Sequence, residues 1–166
     1  MLIIPKKTFN RKIRSIKIKD ALSGILKVND KRYQEFKKSK EYKVYKEHYD
    51  GKPITGSIAL KMFGLMDRRI GDLDIIDDSI THFDFTHADD YNLVQNTTYR
   101  GSVRHKCGMF DERYVDVFED HGKDKIIYKD IVLDQPLEIL KFKYDMIENN
   151  FKHNEDIREV FEILDV

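Results

Sequence analysis

The segment from Ile54 to Asp77, ITGSIALKMFGLMDRRIGDLDIID, constrains the fold more than any other part of the chain. Its last residues alternate carboxylates with large apolar side chains, a pattern typical of a β-strand with one buried face. A Gly-Ser pair near its start precedes residues with helical spacing, and a helix N-terminus at such a turn offers free N–H groups to an anion. The segment therefore predicts a strand, a Gly-Ser turn, a short helix beginning at or just after Ser57, and a second strand.

Asp72 and Asp74 are the unusual residues of the second strand. Residues two apart share a face of a strand, so both carboxylates project together while Leu73 and Ile75 face the core. Adjacent carboxylates raise one another's pKa unless a cation lies between them. Oxygen ligands suit Mg²⁺, which binds through one or two carboxylates plus substrate phosphates. The pattern indicates a metal site; the alternative is a half-exposed strand whose aspartates face water.

A third carboxylate lies in a later apolar strand. The sequence SVRHKCGMFDERYVDVFED predicts a hairpin, with strands Val103–Phe110 and Arg113–Phe118 and a turn near Asp111–Glu112. Asp116 stands alone between apolar residues of the second of these strands. If that strand lies beside DLDII, the three aspartates form a cluster able to hold two divalent ions, the arrangement used in phosphoryl chemistry.

These features together resemble the DNA polymerase beta nucleotidyltransferase superfamily. Within it, the segment is similar to the AbiEii-like abortive-infection toxin branch. That branch has a Gly-Gly/Ser-Thr-Ala-Leu opening, an Arg four residues before the first aspartate, and Asp-Leu-Asp. Ile70 departs from the branch, which often has Ser at that place. The residues that match the branch as they stand are Gly56, Ser57, Ala59, Leu60, Arg68, Asp72 and Asp74.

The branch also has a late lysine on a helix, and helix geometry favours Lys143 for that position. At about 100° per residue, Lys143 lies in an apolar sector with Leu140 and Phe151, whereas Lys141 lies on the polar side. A lysine in an apolar sector needs an anionic partner or a route to water. The alternatives are therefore a phosphate-contacting lysine, as the resemblance implies, and a lysine whose stem lies at the domain edge with its ammonium in water.

Asp156 matches the last motif of the family. Three roles stay open for it: binding Lys143, acting as a general base, or capping a final helix IREVFEIL. Asp116 fits the position of the third carboxylate less specifically than Asp72 and Asp74 fit theirs.

The resemblance implies a minimal nucleotidyltransferase fold of the α/β (α+β) class, a short mixed sheet flanked by helices. It implies Mg²⁺-dependent transfer of NMP from an NTP to an acceptor hydroxyl, with two ions and release of pyrophosphate. The implied partners are the NTP, a tRNA 3′ end as acceptor, and an antitoxin. Nucleotide binding is expected from Gly56, Ser57, Arg68 and Lys143, metal binding from Asp72, Asp74 and Asp116, and catalysis from these three aspartates with Lys143 and Asp156.

Two alternatives come from other functional classes. One is a nucleotide-binding or regulatory protein with this fold and no catalysis, which the short chain and Ile70 favour. The other keeps the enzyme but replaces the RNA with a small-molecule acceptor, such as an antibiotic hydroxyl. The Asp72, Asp74 and Asp116 set argues for catalysis.

The zero net charge conceals an asymmetry. Residues 1–48 carry 15 Lys/Arg and 5 Asp/Glu, a net charge of +10, and the remaining residues carry −10. A basic segment indicates a nucleic-acid-facing surface, or else it packs on the acidic body and neutralises it. Within it, DKRYQEFKKSKEYKVYKEH predicts a helix with Asp30 as its cap. We expect a single domain over 1–166, with a basic, mainly helical N-terminal arm (1–48), a nucleotidyltransferase core (49–135) and C-terminal helices (136–166).

Cysteine content and hydropathy predict the compartment. The chain of 166 residues has one cysteine, which excludes an internal disulfide framework and fits a reducing environment. Its opening apolar run is too short for a signal peptide, and no window approaches the roughly 18 apolar residues of a membrane span. A cytoplasmic protein without a membrane partner is expected.

Overall fold

Helices occupy both ends of the chain and strands occupy its middle. The computed structural model describes residues 2–68, 71–77, 94–98, 103–110, 113–118, 124–148 and 150–166, and for residues 94–98 and 103–109 it describes the backbone. No helix in these ranges combines the length and the hydropathy needed to cross a membrane. The described helices are α1 (Lys6–Ser23), α2 (Asp30–Lys37), α3 (Lys40–His48), α4 (Gly56–Met62), α5 (Pro136–Asp145) and α6 (Lys152–Ile163). The described strands are β1 (Pro53–Thr55), β2 (Asp72–Ile76), β3 (Val94–Thr98), β4 (Val103–Phe110), β5 (Arg113–Phe118), β6 (Ile126–Tyr128) and β7 (Ile131–Leu133).

The strands form one mixed sheet in the order β3-β4-β5-β2-β1-β7-β6. The pairs β2–β5 and β1–β7 are parallel, and the other pairs are antiparallel. The mixed sheet with helices confirms the predicted α/β (α+β) class. The predicted hairpin is also confirmed, because β4 and β5 pair antiparallel with Met109 opposite Tyr114. Its turn at Asp111–Glu112 lies outside the described residues, as does Ile70.

The predicted helix over residues 30–48 is wrong, because two helices occupy this stretch. Ser39 separates them: its hydroxyl accepts the N–H of Tyr42 at 3.2 Å and so caps α3. Asn29, rather than Asp30, caps α2, since its side chain accepts the N–H of Arg32 at 3.2 Å. A cap inside a helix-like pattern is thus enough to start a new helix.

The basic N-terminal segment contributes to the hydrophobic core. The ring of Phe9 stacks on that of Tyr144 in α5 with centroids 4.1 Å apart. The buried side chains from this segment are Ile4, Phe9, Ile13, Ile16, Tyr33, Phe36, Val44 and Tyr45. The first three helices therefore present their apolar faces to the rest of the protein and their lysines and arginines mainly to solvent.

The C-terminal helices differ from the predicted pattern in two respects. Helix α5 ends at Asp145 and α6 begins at Lys152. Phe151 therefore does not extend the apolar sector of α5, and it is 49% exposed. Of the three roles left open for Asp156, capping the final helix is excluded, because this residue lies inside α6 and is buried.

Candidate functional site

Gly56 lies at the junction of β1 and α4, one residue before the predicted start of the helix. Its φ of 67° is in the left-handed region that favours glycine. A Cβ atom at this position would lie 2.0 Å from Oδ2 of Asp74 and 2.8 Å from its Cγ. Glycine is therefore required for two reasons: the backbone conformation of the turn and the close approach of the Asp74 carboxylate.

Asp72, Asp74 and Asp116 form the acidic cluster. Strand β2 lies between β1 and β5, and Asp74 has Thr55 opposite it on one side and Asp116 on the other. The prediction that the strand of Asp116 lies beside DLDII is confirmed by this register. Asp72 lies two residues before Asp74, opposite Tyr114, and remains exposed to solvent.

The acidic cluster is electrostatically unfavourable without a cation. Burial and the Asp116 carboxylate raise the pKa of Asp74 well above its ordinary value, a hydrogen bond with Asp116 adds to the rise, and Lys143 opposes it. Partial desolvation and Asp116 also raise the pKa of Asp72, against the opposing charges of Lys152 and Arg68. The folded chain thus favours a proton on this cluster, or a cation in its place.

A second group, the cationic cluster, consists of Arg68, Lys143, Asp156 and Ser57. The Arg68 guanidinium donates to both carboxylate oxygens of Asp156, each at 3.0 Å. Lys143 Nζ donates to Asp156 Oδ2 at 3.0 Å and to Ser57 Oγ at 3.2 Å. Arg68 Nη2 also donates to Ser57 Oγ at 3.2 Å. Ser57 therefore joins the turn after β1 to both cations.

The cationic cluster bears on the alternatives left open for Lys143 and Asp156. Lys143 is 5% exposed, so its ammonium does not reach water at the domain edge. Of the three roles considered for Asp156, the structure has it bound to Lys143, and Arg68 is a second partner that the sequence did not indicate. Burial alone would raise the pKa of Asp156, but hydrogen bonds from Arg68 and the charge of Lys143 outweigh burial and lower it.

One cavity of about 310 Å³ contains both clusters. Its lining includes every predicted site residue: Gly56, Ser57, Arg68, Asp72, Asp74, Asp116, Lys143 and Asp156. Carboxylates from β2 and β5 thus line the same space as cations from α5 and the α4–β2 connection. Such an arrangement can accept a ligand that is anionic on one side and carries a metal ion on the other.

Other cavity residues were not predicted. Three polar ones lie at or just before the start of α6: Asn150, Lys152 and His153. The others are Thr55, Gly71, Phe118, Ile139, Phe142 and Met146. The run NNFKHNED, which is mostly polar and follows the apolar spacing of α5, was the signal available in the sequence. Burial and the charge of Lys143 lower the pKa of His153 to about 4, so its imidazole is neutral near pH 7.

The donor set fits Mg²⁺ in its chemistry. The described residues include no group of three or more acidic, histidine or cysteine side chains arranged to hold a metal ion. Asp74 and Asp116 nevertheless lie side by side on paired strands and offer only oxygen donors, and a bound cation would oppose the rise in the pKa of Asp74. One or two carboxylates with substrate phosphates are the usual protein ligands of Mg²⁺. The binding of two ions by all three aspartates stays a prediction.

Comparison of the chain with family models, with curated proteins and with solved structures finds no match in any of the three. The resemblance to nucleotidyltransferases therefore depends on the motif residues of this chain and on the cavity that they line.

Proposed function

We propose that this chain is a Mg²⁺-dependent nucleotidyltransferase, which transfers NMP from an NTP to an acceptor hydroxyl. The observation that carries the proposal is the cavity that joins the acidic and cationic clusters. Its eight motif residues come from six parts of the chain, namely α4, the α4–β2 connection, β2, β5, α5 and α6, and lining a common space is what a shared catalytic role requires.

The cationic cluster provides the binding site for the phosphates. Arg68 and Lys143 carry two positive charges against the single carboxylate of Asp156, so one net positive charge remains. Asp156 holds both cations in position, and its bonds reduce the cost of ordering them when an anion binds. The Ser57 hydroxyl, already in contact with both cations, supplies a further polar contact to the phosphates.

The acidic cluster provides the metal ligands and a base. Asp72, Asp74 and Asp116 would hold Mg²⁺, which supplies neutralisation of phosphate charge when bound. The acceptor oxygen bonds to the α-phosphorus, and the bond from that phosphorus to the oxygen bridging to the β-phosphate breaks. NMP stays on the acceptor and pyrophosphate leaves. Asp116 takes the proton of the acceptor hydroxyl and releases it to solvent.

We propose RNA as the acceptor class, with a tRNA 3′ end as the case to test first. The support is the exposed face of α1, where Lys7, Arg11, Arg14 and Lys17 recur at helical spacing. None of these four side chains has an ion pair with any residue in the described part of the chain, so their charge is available to phosphates.

The decisive assay is transfer of label from each of the four α-³²P NTPs with Mg²⁺, using total cellular RNA as acceptor. We expect label on RNA of tRNA size with the wild type, and none with Asp74→Asn or Lys143→Ala. Lys141→Ala is the matched control, because Lys141 lies on the same helix but outside the cavity. NTP binding without transfer to RNA would instead favour the non-catalytic alternative, or a small-molecule acceptor.

The RNA surface needs its own test, because deleting residues 1–48 would remove part of the core. Charge reversal of Lys7, Arg11 and Arg14 to Glu keeps the core intact and should lower the salt dependence of RNA binding, by about one unit of slope per lost phosphate contact. The control is the same charge reversal at three exposed lysines of the next two helices: Lys31 in α2, Lys38 between α2 and α3, and Lys43 in α3. An equal effect of both variants would contradict a surface specific to α1.

A further inference from the structure

The cavity has a second part that the phosphate and metal chemistry does not use. Its lining there is apolar and is formed by Phe118, Ile139, Phe142 and Met146. Apolar surface does not stabilise phosphate charge, since a desolvated charge needs polar partners. This part of the cavity therefore suits a different portion of the ligand.

This apolar lining is directly continuous with the charged residues. Phe118 follows Asp116 by two residues on β5 and so lies on the same face of the strand. Phe142 precedes Lys143 on α5. The two rings meet edge to face, with centroids 5.4 Å apart and planes at 78°. A group attached to a phosphate between Asp116 and Lys143 would lie close to this aromatic pair.

His153 supplies a polar group to the lining of the same cavity, beside the cationic cluster. Its Nδ1 atom is buried and has no hydrogen-bond partner among the residues that the structure describes. Buried polar atoms are normally paired, and Nδ1 is enclosed by protein; Nε2 is not among the enclosed unpaired atoms and has no hydrogen bond with a described residue, so Nε2 is the ring nitrogen that a ligand in the cavity can reach. Asn150, beside it in the lining, accepts the N–H of Lys152 through Oδ1 at 3.0 Å and keeps its amide NH₂ as a donor.

We propose that this part of the cavity is a nucleobase subsite and that His153 is the residue that discriminates among bases. This inference rests on the proposed function, because it assigns the base of the same nucleotide whose phosphates the cationic cluster binds. A base has apolar faces and a polar edge of donors and acceptors. The aromatic pair contacts a face of the base, while the neutral imidazole of His153 and the amide of Asn150 hydrogen-bond to its edge.

The test separates the base from the phosphates. Calorimetry with Mg²⁺ measures the affinity of the protein for each of the four NTPs and for inorganic tripolyphosphate, which has no base. For the wild type we expect at least one NTP to bind more tightly than tripolyphosphate. His153→Ala should lower the affinity for the preferred NTP about 3- to 10-fold, the effect of one lost hydrogen bond, and leave that for tripolyphosphate unchanged.

Two further variants control for a structural effect. His153→Gln keeps hydrogen-bonding capacity and should restore part of the preference. His48→Ala removes a histidine whose ring packs on Phe110 with centroids 4.3 Å apart, outside the cavity lining, and should change neither affinity.

The outcomes distinguish the subsite from the function on which it rests. Equal affinity of the wild type for all NTPs and tripolyphosphate would overturn the subsite while leaving phosphate binding in place. An equal loss of tripolyphosphate affinity in His153→Ala would assign His153 to the phosphates and also overturn it. Failure of the wild type to bind any of the five ligands would overturn the proposed function together with the subsite.

Discussion

The acidic and cationic clusters line the same cavity, yet their charges are arranged in opposite ways. In the cationic cluster, Asp156 accepts hydrogen bonds from Arg68 and Lys143, and each buried charge has a partner of opposite sign. In the acidic cluster, Asp74 and Asp116 are like groups side by side, and the burial of Asp74 and the charge of Asp116 raise the pKa of Asp74.

This difference predicts that the residues of the cationic cluster stabilise the fold and that the adjacent carboxylates of the acidic cluster destabilise it. Removing one partner from a compensated buried cluster leaves an unpaired charge, so it destabilises the fold. Removing one of two adjacent carboxylates relieves repulsion and should not destabilise it. The adjacent carboxylates of the acidic cluster therefore serve a purpose other than stability. We infer that this purpose is the binding of a cation.

The largest effect is expected from Asp156→Asn. The change removes the anion that Arg68 and Lys143 share, so the free energy of unfolding should fall by about 3 kcal/mol. Urea denaturation measures the loss. Glu155→Gln on the exposed side of α6 is the control and should stay within about 0.5 kcal/mol of the wild type. A loss for Asp156→Asn no larger than for this control would mean that the cationic cluster is not compensated as described.

Gly56→Ala should have the next largest effect, a loss of about 2 kcal/mol from backbone strain and displacement of the Asp74 carboxylate. Gly51→Ala is the matched control, because Gly51 also has a positive φ, 82°, but no atom lies within 4 Å of the place that its added methyl group would take. Only the Gly56 variant should also lose Mg²⁺-dependent nucleotide binding. Equal behaviour of the two variants would show that contact between the turn and Asp74 is unimportant.

A pH dependence is expected from His153 beside the cationic cluster. Its pKa is lowered to about 4, so between pH 6.5 and pH 4 the unfolded chain binds a proton that the folded chain does not, and stability falls as the pH falls. Between pH 7 and pH 5.5 the wild type should lose about 1 kcal/mol from this group. His153→Asn should lack this loss and His48→Asn should retain it. The same loss in His153→Asn would contradict the assignment.

The smallest effect, and one of opposite sign, is expected from Asp74→Asn in EDTA. Because one of two facing carboxylates loses its charge, the free energy of unfolding should be unchanged or higher by up to about 1 kcal/mol. Urea denaturation of Asp74→Asn and Asp156→Asn under the same conditions measures both changes in the free energy of unfolding, which we expect to have opposite signs. A loss for Asp74→Asn as large as that for Asp156→Asn would remove the distinction between the clusters.

The site residues on strands could be predicted because a strand repeats every two residues. Asp72 and Asp74 share a face for this reason, and a lone carboxylate among valines indicated Asp116. Lys143 was identified by the angular position of its side chain on a helix. Each of these predictions used only local geometry and residue type.

The remaining features depend on contacts between distant parts of the chain. The bond from Arg68 to Asp156 joins residues 88 positions apart and exists only because α6 packs beside the α4–β2 connection. The end of α5 at Asp145 could not be read from hydropathy, since the apolar spacing continues past it to Ile147. His153 gave no signal of its own, because its environment arises from the packing of α6 against α5.

The central claim is that the acidic cluster is a cation site of a nucleotide-binding cavity, and thermal unfolding tests it most directly. The midpoint is measured for the wild type and Asp74→Asn in EDTA, with Mg²⁺ alone, with an NTP alone, and with both. The account predicts a clear rise for the wild type with Mg²⁺ and NTP together, and no such rise for Asp74→Asn. An equal rise in the two proteins would contradict it.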